Sequence, residues 1–167
     1  MEYTAEDYIS HRLQRSGILV AKPKFDLNGT DLLVFVEMGD GVKFGRIQCK
    51  GRSLKKSSTG VNINKDYVSE GFIFFLYLDD GEFEAHNLYC FFSSDIEQWS
   101  LNKKGEYTKS IGADFKSKFE FYEFNESKVE MIKNMIRSAQ SSGEFKRLVY
   151  CQFSGVLPGL FGVMNND

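Results

Sequence analysis

Apolar residues recur along this chain in two rhythms, and the rhythm predicts the element. Between Thr4 and Ser16, Tyr8, Ile9 and Leu13 fall near one face of a helical wheel with Ala5 alongside, which predicts a helix. Thr4 is placed to cap it, with Asp7 three residues on, and Gly17 to close it. The rhythm then shortens. ILVA at 18–21 reads as a short strand, Pro23 interrupts, and LNGT at 27–30 signals a turn. DLLVFVEM, Asp31 to Met38, predicts a second strand. GDG at 39–41 predicts a hairpin turn, and KFGRIQCKGR, Lys43 to Arg52, its antiparallel return.

The stretch from 53 to 66 is polar and reads as a loop, with VNIN as a segment able to pair briefly; Lys65 to Glu70 reads as a turn or short helix. FIFFLYL at 72–78 is an unbroken apolar run and predicts a buried central strand. DDGE at 79–82 predicts a turn, NLYCFF at 87–92 another strand, and Ser94 and Asp95 the start of a short helix through Trp99. NKKGEY at 102–107 has a hairpin pattern, and KFEFYEF at 118–124 alternates like an edge strand. Ser127 to Ser142 predicts a second helix, with Val129, Ile132, Met135, Ile136 and Ala139 on one stripe. The apolar tail LVYCQFSGVLPGLFGVM is expected to pack back on the body. An opening helix followed by a meander predicts a mixed sheet flanked by helices, α/β or α+β. The 167 residues suit one domain with no dividing linker.

One segment is polar in an unexpected way. In RIQCKGRS, residues 46–53, side chains two apart point the same way on a strand. Gln48 and Lys50 therefore share one face, while Ile47 and Cys49 share the other. A hairpin centred near Asp40 places Asp31 opposite residue 49 or 50, beside Gln48 and Lys50. Gly29, two before the aspartate, frees the backbone to bend there. A carboxylate, an amide oxygen and a peptide carbonyl form a hard-oxygen set, which favours Mg²⁺ or Mn²⁺. Mg²⁺ keeps several waters, so a sparse set suffices. Lys50 can orient or help deprotonate an attacking water and stabilise phosphate charge. Glu6, on the preceding helix, can supply another carboxylate. Taken singly, each residue has a plainer reading. Glu6 suits the first turn of a helix, Asp31 suits a turn, and Gln48 with Lys50 suits a wet strand face.

Charge sharpens the picture. The net charge is only −2, but Lys43, Arg46, Lys50, Arg52, Lys55, Lys56 and Lys65 fall between Gly41 and Lys65 with no acidic residue among them. From Asp66 to Glu97 there is no Lys or Arg. A chain so polarised can present a basic surface despite its near-neutral sum. Only 2 Pro, no low-complexity tract and no long repeat argue against disorder and against a solenoid. Cys49, Cys90 and Cys151 fit no zinc spacing, and an acidic opening MEYTAEDY is not a secretory leader, so a reducing, cytoplasmic setting is expected. The longest apolar run is too short to span a bilayer as a helix, so no membrane partner is expected. Trp99, Tyr89, Phe91 and Phe92 suit a core better than a base-stacking platform.

Three of these elements in order resemble the PD-(D/E)XK nuclease superfamily, in its archaeal Holliday-junction-resolvase-like and restriction-endonuclease-like branch. They are Glu6 within TAEDYISHRLQRSG on the first helix, Gly29-Thr30-Asp31, and Gln48-Cys49-Lys50. The likeness covers about the first 80 residues; residues 81–167 then add strands and a C-terminal helix. It implies a restriction-endonuclease-like core: an N-terminal helix, then an antiparallel three-stranded meander in a mixed central sheet flanked by helices. It implies an Mg²⁺- or Mn²⁺-dependent nuclease hydrolysing phosphodiester bonds in DNA, in repair, restriction or mobile-element defence. Asp31, Gln48 and the Cys49 carbonyl would hold the metal, Glu6 would bind it directly or through water, and Lys50 would act on the attacking water. Arg46, Arg52, Lys55 and Lys56 would contact nucleic-acid phosphates, and a homodimer is expected. Many members carry Glu where this chain has Gln48, and an amide brings no charge. The alternatives are a catalytically weak or inactive nucleic-acid-binding module of the same fold, and a protein-interaction subunit.

Overall fold

Helix α1 spans Glu2–Arg15 in the computed structural model, which describes residues 2–24, 28–38, 41–54, 58–79 and 87–138. It begins two residues before the expected cap, so Thr4 lies inside its first turn. Its end follows the sequence. Gly17 takes φ +73°, the Gly17 N–H donates to the Gln14 carbonyl at 3.0 Å, and the Ile18 N–H donates to the Leu13 carbonyl at 3.1 Å. That pair of bonds satisfies the last carbonyls and turns the chain into the sheet. Ala5, Ile9 and Leu13, spaced by four, are fully buried against it.

Five strands form the main sheet: β1 (Leu19–Ala21), β2 (Leu32–Met38), β3 (Gly41–Ser53), β5 (Phe72–Asp79) and β6 (Asn87–Phe92). Their spatial order is β1-β2-β3-β5-β6, antiparallel except for the parallel β3–β5 pair. The meander and the central position of FIFFLYL are as expected. Residues 72 to 78 of β5 are buried throughout, because both faces of the sheet are covered. On one face, Ile47, Cys49, Ile73 and Phe75 pack with α1 and with α4 (Glu126–Ser138), which brings Val129, Ile132 and Ile136. α4 crosses β3 at Gly45, where a β-carbon would meet the Ile136 and Met135 side chains at 3.4 Å. Residues 139–142 of the expected helix, the tail, and most of the GDG and DDGE turns lie outside the described residues.

The opposite face carries the two main departures. Ser58–Asn64 is not loop but strand β4, antiparallel to β8 (Glu106–Gly112), which also pairs β7 (Ser100–Leu101). Val61 and Ile63 alternate onto the second core with Phe72, Phe74, Leu76, Phe91 and Trp99; two apolar residues in a polar stretch were too few to reveal it. The expected edge strand at 118–124 is instead helix α3 (Phe115–Phe119) and a 3₁₀ turn (Glu120–Tyr122), followed by a Tyr89–Glu123 bridge and a Phe124 N–H donating to the Leu88 carbonyl at 2.8 Å. Phe115 and Phe119, four apart, both meet the Tyr89 ring edge-on, which a strand could not arrange. Helix α2 (Ser93–Ile96) follows β6, with Asp95 accepting from the Phe92 N–H at 2.9 Å. Trp99 is core, edge-on to Phe74 and Phe91. Among the described residues, no helix is long and apolar enough to cross a membrane.

Candidate metal centre at the start of the second strand

Pairing between β2 and β3 joins Met38 to Gly41 and Leu32 to Ile47. The pairing is therefore centred just before Asp40 and ends at Leu32; Asp31 lies one residue beyond it and bonds to the backbone of Ile47 and Cys49. The Asp31 N–H donates to the Ile47 carbonyl at 2.8 Å, and its Oδ2 accepts from the Cys49 N–H at 2.6 Å. Residues 47 and 49 thus direct their backbone groups toward β2, and a strand residue's N–H and C=O point to the same side. The Cys49 carbonyl therefore points past the start of β2, beside the Asp31 carboxylate.

Gln48 is not on a wet face. It is 8 % exposed, and its Oε1 is buried without a hydrogen-bond partner among the described residues. A buried amide oxygen left unpaired costs about 1–3 kcal/mol, so this oxygen is a candidate ligand. Gly29 closes the site from the other side, with φ +67° after Asn28 at φ +50°. A β-carbon there would lie 2.4 Å from the Tyr67 ring and 2.9 Å from Gln48 Nε2. Thr30, 3 % exposed, likewise has a buried hydroxyl with no partner among the described residues. Lys50 is half-buried and follows Gln48 on the same strand face.

Glu6 lies on α1, which packs on the Cys49 side of the sheet, and its carboxylate is engaged by Lys22. Sequence reasoning missed Lys22. Ala21 pairs with Leu33, so the next residue of the chain arrives at the start of β2. The Cys49 thiol is buried on the α1 side of β3. Burial pushes its pKa well above the usual range, the Asp31 and Glu6 charges push further, and Lys22 opposes them. Burial also raises Cys90 strongly, with Asp95 adding and Lys128 opposing. A thiol whose folded pKa is raised holds its proton after the unfolded chain has lost it. These thiols therefore stabilise the fold below the unfolded value, and stability falls as pH rises past about 8.5, by up to ~1.4 kcal/mol per pH unit for each. Urea midpoints from pH 7 to 10 check this. Cys49→Ala with Cys90→Ala should flatten the decline, and an equally steep decline in that variant would refute it.

The expected phosphate contacts divide. Arg46 lies on the Gln48 face, donating to the Tyr67 carbonyl at 3.2 Å and to Ser69 Oγ. Arg52 donates to the carbonyls of Gly60 and Gly51 at 3.0 and 2.8 Å, tying β3 to β4. Lys55 and Lys56 lie outside the described residues. Arg12 is half-buried between the Tyr8 and Phe124 rings.

The donor chemistry fits a hard divalent cation: one anchored carboxylate, a peptide carbonyl, an orphaned amide oxygen, and a second carboxylate behind a lysine. Among the described residues there is no cluster of three or more His, Cys, Asp or Glu, so two of the oxygens on offer are uncharged.

No protein-family model matches the chain, and no curated protein matches it. Solved structures do. A bacterial homing endonuclease, I-Ssp6803I, is similar with a TM-score of 0.50 and 17% identity, over 89% of this chain and 96% of that one. Hjc of Archaeoglobus fulgidus, a Holliday junction resolvase, is similar with a TM-score of 0.42 and 10% identity, over 74% of this chain and 98% of that one. At such identity the first likeness shows the fold alone: the architecture is restriction-endonuclease-like, as the three motifs imply.

Proposed function

We propose that this protein is a divalent-metal-dependent nuclease acting on DNA. The observation that carries the reading is the buried Gln48 Oε1, without a partner among the described residues, next in sequence to the Cys49 N–H that anchors Asp31. Both structural neighbours are described as DNA-processing enzymes, a homing endonuclease and a Holliday junction resolvase, which favours the same class. Asp31, Gln48 and the Cys49 carbonyl would hold Mg²⁺ or Mn²⁺, with Glu6 as a further ligand, direct or through water. The bound cation would supply Lewis acidity toward a phosphodiester.

The chain's own groups do the rest. The Cys49 N–H fixes the orientation of the Asp31 carboxylate. Lys50 would orient the attacking water and take part in its deprotonation. Arg46, Arg52, Lys55 and Lys56 would hold backbone phosphates, giving salt-dependent and sequence-independent affinity. With an uncharged amide at position 48, the site depends on Asp31 and Glu6 for its charge, so metal affinity would be modest. Cleavage of plasmid and linear DNA with Mg²⁺ or Mn²⁺ tests the reading. Wild type should cut, while Asp31→Ala and Lys50→Ala should each lose at least ~100-fold. Equal cutting by all three, or by none, would refute it. Salt-sensitive DNA binding without cutting would point to the binding module instead.

A further inference from the structure

We propose that Lys22 is the resident counter-ion of Glu6, and that a divalent cation entering the site must take Glu6 from it. This inference rests on the reading of the site given above and adds a positioning residue that no motif contains. The Lys22 ammonium pairs with Glu6 Oε2. The glutamate side chain is only 15 % exposed while the lysine side chain is 49 % exposed, so the pair has a buried acidic end and an open basic end. Ala21 pairs with Leu33, so Lys22 follows level with Leu32, the neighbour of Asp31, which places the pair beside the proposed centre. An ammonium held there supplies the positive charge that a metal would bring, and like charges so close are unfavourable. Lys22 therefore competes with the metal.

A purely structural ion pair predicts something different. Losing it would cost a little stability and leave metal affinity unchanged or weaker. Competition predicts a gain. Mn²⁺ binding, followed by calorimetry and by the electron paramagnetic resonance of free Mn²⁺, needs no cleavage to read. Lys22→Gln should tighten Mn²⁺ binding on the order of 5- to 10-fold relative to wild type. Glu6→Gln should weaken it, and the gain from Lys22→Gln should vanish in the Glu6→Gln background. Binding by Lys22→Gln where wild type binds none would support the same competition. Unchanged or weaker binding by Lys22→Gln, or a gain that persists without Glu6, would overturn it. Asp31→Asn separates the two levels. Mn²⁺ binding that survives this change, or absence of binding by wild type and Lys22→Gln alike, would overturn the site reading and this inference together. Thermal melts of each variant confirm that the fold is retained.

Discussion

Asp31→Asn should abolish DNA cleavage, by about 100-fold or more, while leaving the fold nearly intact. The asparagine keeps the shape of the side chain, and its amide oxygen can still accept from the Cys49 N–H, which Oδ2 meets at 2.6 Å. What disappears is the charge. A hydrogen bond to a charged acceptor contributes about 1.5–3 kcal/mol and a neutral one about 0.5–1.5, so stability should fall by only ~1 kcal/mol. The proposed centre loses its anchored carboxylate and gains an N–H₂ group turned toward the cation. The loss of rate therefore exceeds the loss of stability: 100-fold is ~2.7 kcal/mol in the transition state. Cleavage rates and melting temperatures on the same preparations separate the two. Wild-type cleavage by Asp31→Asn would exclude Asp31 as a ligand whatever its hydrogen bonding.

Gly29→Ala should have the largest effect on stability, about 2–5 kcal/mol. Two costs combine there. A residue with a β-carbon at φ +67° leaves its comfortable backbone region at ~1–2 kcal/mol. The new methyl would also stand 2.4 and 2.6 Å from two carbons of the Tyr67 ring, an overlap that must be relieved by moving the ring or the turn, at ~1–3 kcal/mol. The same methyl would press on Gln48 Nε2 at 2.9 Å, so the amide would lose its position as well. Urea unfolding with an unchanged m-value would report the sum. Repeating it in a Tyr67→Ala background should recover the steric part and leave the backbone part. A substitution that shifts the midpoint by less than ~0.5 kcal/mol would mean that this turn does not press on the site.

Much of this arrangement can be read from local pattern. α1, α4 and β3 follow from periods of 3.6 and 2, and β2, β5 and β6 from apolar runs bounded by turn signals. β4 could not be read that way. Its partner β8 lies more than 40 residues on, and only Val61 and Ile63 mark its buried side. The 118–124 segment failed for the opposite reason. Its aromatics alternate, but the rings of Tyr89 and Phe91 reward a helix that presents Phe115 and Phe119 together.

The proposed site divides along the same line. The sequence alone determined that Gln48 and Lys50 share a strand face, that Asp31 follows a glycine-bearing turn at the head of the partner strand, and that Glu6 sits on a helix before both. Period and order are properties of neighbours along the chain, so they survive without a fold. Only the tertiary structure decided the bonds that tie Asp31 to the backbone of Ile47 and Cys49, the burial of Gln48 Oε1, the Tyr67 ring over Gly29, and the pairing of Glu6 with Lys22. Each of these depends on distances between segments distant in sequence, and on packing that shuts water out. Neither is encoded in any one stretch of residues.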